Sequence, residues 1–112
     1  MLITEKQVQW AMDILIDRDS NAAKTRAANE HMGDLTKVVL AKLVNDAPDS
    51  LKSAAAREAW ALAHPDYSAH LEQKKMLAEM DYKARDRRSA ASAIIEAWRT
   101  EQSNARMAGR VG

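Results

Sequence analysis

Apolar residues along the 112-residue chain recur at helical spacing and are interrupted by few glycines or prolines. Val8, Met12, Leu15 and Ile16 follow Thr4, whose side chain can cap a helix while Gln7 reaches back to it, so a first helix is predicted over about residues 4–19. Met32, Leu35, Val39 and Leu43 form a second stripe, widened by Val38 and Leu40. It predicts a helix over about 20–45, weakened in its middle by Gly33. The stretch Asn45-Asp46-Ala47-Pro48-Asp49 then breaks the pattern, because Pro48 drives Ala47 away from helical angles. Ser50 is placed to cap a short third helix, about 50–63. In His64-Pro65-Asp66 the proline suits the first position of a helix, where its missing N–H costs nothing, and Asp66 faces the positive end of the dipole. No Pro or Gly follows until Gly109, which predicts a fourth helix over about 65–107, roughly 60 Å long at about 1.5 Å per residue.

These elements predict a single all-α domain over residues 1–112, built as an elongated helical hairpin or coiled-coil-like arm around the long C-terminal helix. Along that helix Leu77, Met80, Ala84, Arg87, Ala91, Ile94 and Trp98 recur at alternating intervals of three and four, the spacing of a coiled-coil seam interrupted by Arg87. The second helix is the natural antiparallel partner but is too short to cover the whole seam. Uncovered seam surface of this kind predicts a homo-oligomer, with Leu77, Met80, Ile94 and Trp98 in the interface.

Composition agrees with helices and narrows the chemistry. Apolar residues make up 46% of the chain but aromatics only 4%, with no Phe, so the core must come from Ala, Leu, Ile, Val and Met with three Trp as fillers. The absence of Cys excludes disulfides, thiolate metal sites and a thiol nucleophile, and fits a reducing cytosol. The first residues lack the basic start and apolar run of a secretory signal, and no apolar run approaches the roughly 18 residues that span a bilayer. A cytoplasmic protein without membrane contact is the expectation. His31, His64 and His70 lack metal-ligand spacing: His64 reads as a helix cap, the other two as solvated or half-packed rings. With no phosphate-cradling loop, nucleophile elbow or triad, neither catalysis nor a cofactor is expected.

Charge adds one feature. Seventeen basic side chains against sixteen acidic ones leave a net charge of +1, but from Lys74 to Gly112 there are nine basic residues against five acidic ones. Lys83, Arg85, Arg87 and Arg88 form the densest cluster, and Arg99 follows. Aligned copies in an oligomer would multiply this excess into a surface able to track phosphates. The plainer reading of the same residues is a solvated helix face. Tyr82, next to Lys83 and Arg85, is the best placed aromatic to stack on a base, whereas Trp98 lies in the seam.

The run Ser50-Leu51, the stretch Arg57-Glu58-Ala59-Trp60-Ala61-Leu62-Ala63-His64-Pro65-Asp66-Tyr67, and the closing Ala93-Ile94-Ile95-Glu96-Ala97-Trp98-Arg99 with Asn104-Ala105-Arg106 resemble a family of small helical phage proteins. Genes of that family tend to sit in DNA recombination and replication modules. In layout alone, the chain is also similar to the UvsY class of phage recombination mediators, oligomeric helical proteins that bind single-stranded DNA. These resemblances imply a recombination accessory in the host cytoplasm that binds single-stranded DNA as an oligomer through Lys83, Arg85, Arg87, Arg88 and Arg99. A recombinase or a single-strand binding protein is the further partner they imply. The competing expectation is a helical protein–protein adaptor or host-takeover factor that does not bind DNA.

Overall fold

The computed structural model describes residues 2–111 and, within them, the side chains of residues 2–109. Four helices follow one another, α1 (Glu5–Ile16), α2 (Asn21–Asp46), α3 (Ala54–Leu62) and α4 (Pro65–Val111), and no strand occurs among the described residues. The chain is all-helical, as its periodicity requires.

Local signals set most of the helix ends. Thr4 caps α1 by accepting the Gln7 N–H at 3.2 Å while the Gln7 side chain accepts the Thr4 N–H at 2.8 Å. The first helix ends at Ile16, earlier than the predicted Asp19, because Asp17 turns left-handed with φ 40° and its N–H bonds back to the Asp13 carbonyl. The Asp17 carboxyl also accepts the N–H groups of Asn21 and Ala22 at 3.1 and 3.0 Å, so one residue closes α1 and opens α2. At the start of α4, His64 Nδ1 accepts the Asp66 N–H at 3.0 Å, making it the cap before Pro65 that the sequence predicts. The fourth helix continues past Met107 through Gly109, where a side chain would meet nothing within 4 Å.

The third helix differs from its expected form. Its cap is Ser53, whose hydroxyl accepts the Ala56 N–H at 3.1 Å, and not Ser50. Between α2 and α3 the carbonyls of Ala47, Pro48 and Leu51 turn toward Arg57 and not into a helix. The Arg57 guanidinium donates to the carbonyls of Val44, Asn45, Ala47, Pro48 and Leu51 at 3.0 to 3.2 Å. It thereby places a positive charge at the C-terminus of α2, whose own last turn contains no basic residue.

The chain divides into two compact units, Ala23–Asp81 and a second unit of Met1–Ala22 with Tyr82–Gly112. In the first, α2 runs antiparallel to the beginning of α4. The Thr36 hydroxyl lies 2.8 Å from His70 Nε2, and the Asn29 amide donates to the Asp81 carboxyl at 3.0 Å. His70 is therefore a buried, hydrogen-bonded ring, 7% exposed, where the sequence suggested a solvated or half-packed one. In the second unit α1 runs antiparallel to the later part of α4. Both Glu101 oxygens accept the Ile3 N–H, at 3.0 and 3.1 Å, and Arg88 donates to the Ile14 carbonyl at 3.4 Å. These contacts bring Ala11 and Ala91, both fully buried, to the same level of the helix pair.

Two features revise the predicted seam. The part of α4 that α2 was too short to cover is covered by α1. The covered stripe also shifts at one position, where Asp81 is buried in place of Met80, while Ile94 and Ile95 are both half-buried. It holds Tyr67, His70, Lys74, Leu77 and Asp81 in the first unit, and Ala84, Ala91, Ile94, Ile95 and Trp98 in the second. Met80, assigned to the seam from its apolar character, is 53% exposed, and Asp81 is 1% exposed. Asp81 can occupy the seam because Asn29 meets it there with a hydrogen-bond donor.

Gly33 lies inside α2, and a Cβ built on it meets nothing within 4 Å. Gly33→Ala is expected to stabilise the fold by about 1 kcal/mol through backbone entropy alone. A thermal melt followed by circular dichroism checks it, and an unchanged or lower midpoint would contradict it.

Candidate nucleic-acid interface

The basic cluster lies wholly on α4 within the second unit, and Lys83, Arg85, Arg87, Arg88 and Arg99 are all exposed. Helical geometry nevertheless separates them, since each residue advances by about 100°. Lys83 and Arg87, four residues apart, share one line, and each is displaced by about 200° from Arg85. Arg88 borders the covered stripe, with its guanidinium on the Ile14 carbonyl. Arg85 and Arg99 are fourteen residues apart, about 40° short of four full turns, and so lie on one slowly winding line.

That line contains more than the cluster suggested. Ser92 stands midway between Arg85 and Arg99, and Arg106 continues the interval of seven. Ser89, Glu96 and Ser103 fall between these rungs at alternating intervals of four and three, and Tyr82 precedes Arg85 by three. All eight residues are exposed, Tyr82 at 59%. The result is a continuous polar face about 36 Å long at about 1.5 Å per residue, carrying three guanidinium groups, three hydroxyls and an aromatic ring against one carboxylate. Arg85 is engaged within the chain, and Arg106 Nε donates locally to the Gln102 carbonyl at 3.4 Å. Reading the cluster by proximity missed Arg106 and the serines. Their signal in the sequence was the seven-residue interval itself.

The expected interface residues are divided. Leu77, Ile94 and Trp98 are half-buried within their own units, whereas Met80 is exposed. The apolar side chains buried among the described residues are Ala11, Leu43, Ala47, Ala61 and Ala91, and the largest fully buried side chain is that of Asp81. Trp10, Met12, Ile16, Val38, Met76 and Met107 are all exposed by more than 40%. Of the other aromatics, Trp60 is half-buried, its ring centroid 5.0 Å from that of His64.

Among the described residues no three His, Asp or Glu side chains are grouped to hold a metal ion. No described helix is long and apolar enough to cross a membrane. Comparison with family models, curated proteins and solved structures finds no significant match.

Proposed function

We propose that this chain is a non-enzymatic accessory protein of phage DNA recombination that binds single-stranded DNA as a homo-oligomer. The observation that carries the reading is the exposed face of α4 on which Arg85, Arg99 and Arg106 share one line with serine hydroxyls between them. Guanidinium and hydroxyl groups are the side chains that contact phosphate oxygens, and such contacts fix a strand without reading its bases. The recombination setting comes from the family resemblance of residues 50–67 and 93–106. Self-association is supported by the small buried core, which among the described residues holds one leucine and four alanines while Met76 and Met80 stay exposed.

The test is binding of a labelled strand of roughly 30 nucleotides across a salt series. An oligomer that engages about six phosphates gives a slope of log affinity against log salt near −4, from roughly −0.7 per phosphate. No binding even at about 50 mM salt, where phosphate contacts are strongest, would favour the adaptor reading instead. Assembly is tested separately by light scattering. Met80→Asp adds a charge to an already exposed position, so it should leave the helices intact and reduce the oligomer to monomer. A wild-type monomer at tens of micromolar would remove the oligomer from the reading.

A further inference from the structure

Resting on that reading of the α4 face, we infer that the site discriminates single-stranded from duplex DNA by its slow left-handed winding, and that Tyr82 supplies a base-stacking platform at one end. The rungs Ser92, Arg99 and Arg106 follow Arg85 at intervals of seven residues, about 10.5 Å each, along one unbroken helix. A duplex completes a turn in roughly 34–36 Å, so over the length of this face each of its backbones winds once around the axis. The row itself drifts by only about 20° per seven residues, about 60° in the left-handed sense from Arg85 to Arg106, so it meets a right-handed duplex backbone at one place and leaves it. An extended single strand lies along the whole row, and its unpaired bases are available to an aromatic ring. Tyr82 stands one turn before Arg85 on the same face and is 59% exposed, a position from which its ring can take the base next to a phosphate held by the row. Glu96 interrupts the face between Ser92 and Arg99. Its carboxylate repels the strand there and divides the contacts into two short runs.

The roles separate in measurement. Cationic rungs release counterions when they meet phosphate and stacking does not, so the two kinds of residue change different parameters. Fluorescence anisotropy with a labelled 30-nucleotide thymidine strand and with a 30-base-pair duplex, at about 50 to 200 mM salt, measures both. The single strand is expected to bind at least tenfold more tightly than the duplex. Arg99→Ala and Arg106→Ala should each flatten the salt slope by roughly 0.7 per chain, and Arg99→Lys should restore it. Tyr82→Ala should weaken binding by at least about fivefold with the slope unchanged, and Tyr82→Phe should retain affinity. Glu96→Gln should tighten binding severalfold, an effect that simple loss of structure does not produce. Equal affinity for strand and duplex, or a Tyr82→Ala variant that binds like the wild type, would overturn this inference while the single-strand binding reading stood. Failure of the wild type to bind either probe would overturn both.

Discussion

Arg57→Ala should destabilise the Ala23–Asp81 unit by about 3–5 kcal/mol, a large part of the roughly 5–15 kcal/mol that holds a domain of this size. The guanidinium contacts five carbonyls from the end of α2 and the segment leading to α3, and it is half-buried. Three of these bonds, to Val44, Ala47 and Leu51, are partly shielded from water, so their carbonyls cannot be fully resolvated in place when the donor is removed. The variant also removes the positive charge at the C-terminus of α2. Arg57→Lys should recover less than half of the loss, because an ammonium has three donors at one point where the planar fork reaches five acceptors. Urea denaturation measures the change, and amide exchange should rise first in α3 and the last turn of α2. A loss below about 0.5 kcal/mol in Arg57→Ala would mean that water serves these carbonyls as well as arginine does.

The second large effect is expected at Asp81. Asp81→Ala should cost about 2–4 kcal/mol, since it removes a buried side chain, strands the Asn29 amide and breaks the further interactions of the carboxyl. Replacing this pair, with Asn29→Leu and Asp81→Leu, should behave differently. An apolar pair in the seam is expected to recover part of that loss, because Asn29 is no longer stranded while the further interactions of Asp81 stay broken. The cost should appear in specificity. The Asn29 and Asp81 pair, with Thr36 and His70, gives α2 and α4 matched polar groups in only one register, and a leucine pair tolerates neighbouring registers. Doubled amide resonances or a changed oligomeric state in the double variant would report that loss. A double variant as unstable as Asp81→Ala would show that the seam cannot take larger apolar groups.

Much of the architecture is legible before any coordinates. The Thr4 and Gln7 capping pair, the break at Pro48 and the His64-Pro65-Asp66 start act over four residues or fewer, so the sequence reports them directly. The absence of Pro and Gly between Pro65 and Gly109 likewise makes α4 one helix. The α1–α2 turn was less legible. Its left-handed Asp17 resembles any other aspartate until its carboxyl is seen on the next helix.

The candidate interface was half legible. Its arginines stand out in the sequence, and their seven-residue interval follows from counting. That the line is exposed depends on α1 covering the neighbouring stripe of Ala84, Ala91, Ile95 and Trp98.

By itself the sequence determined that the chain is helical, where most of its helices start, and which end carries the cations. Tertiary structure decided which stripe of α4 is buried. The two candidate stripes share Leu77, Ala84, Ala91 and Trp98; Arg87 and Arg88 are both exposed and Ile94 and Ile95 both half-buried, so the choice is made between Met80, which is exposed, and Asp81, which is buried. Counting apolar residues favours the first, because it registers the cost of desolvating a carboxyl but not the partner that offsets it. Asn29 is one such partner, 52 residues away in sequence and 3.0 Å away in space. Only the folded chain brings the two together, and the buried polar pair then sets the register that hydrophobicity alone would have placed elsewhere.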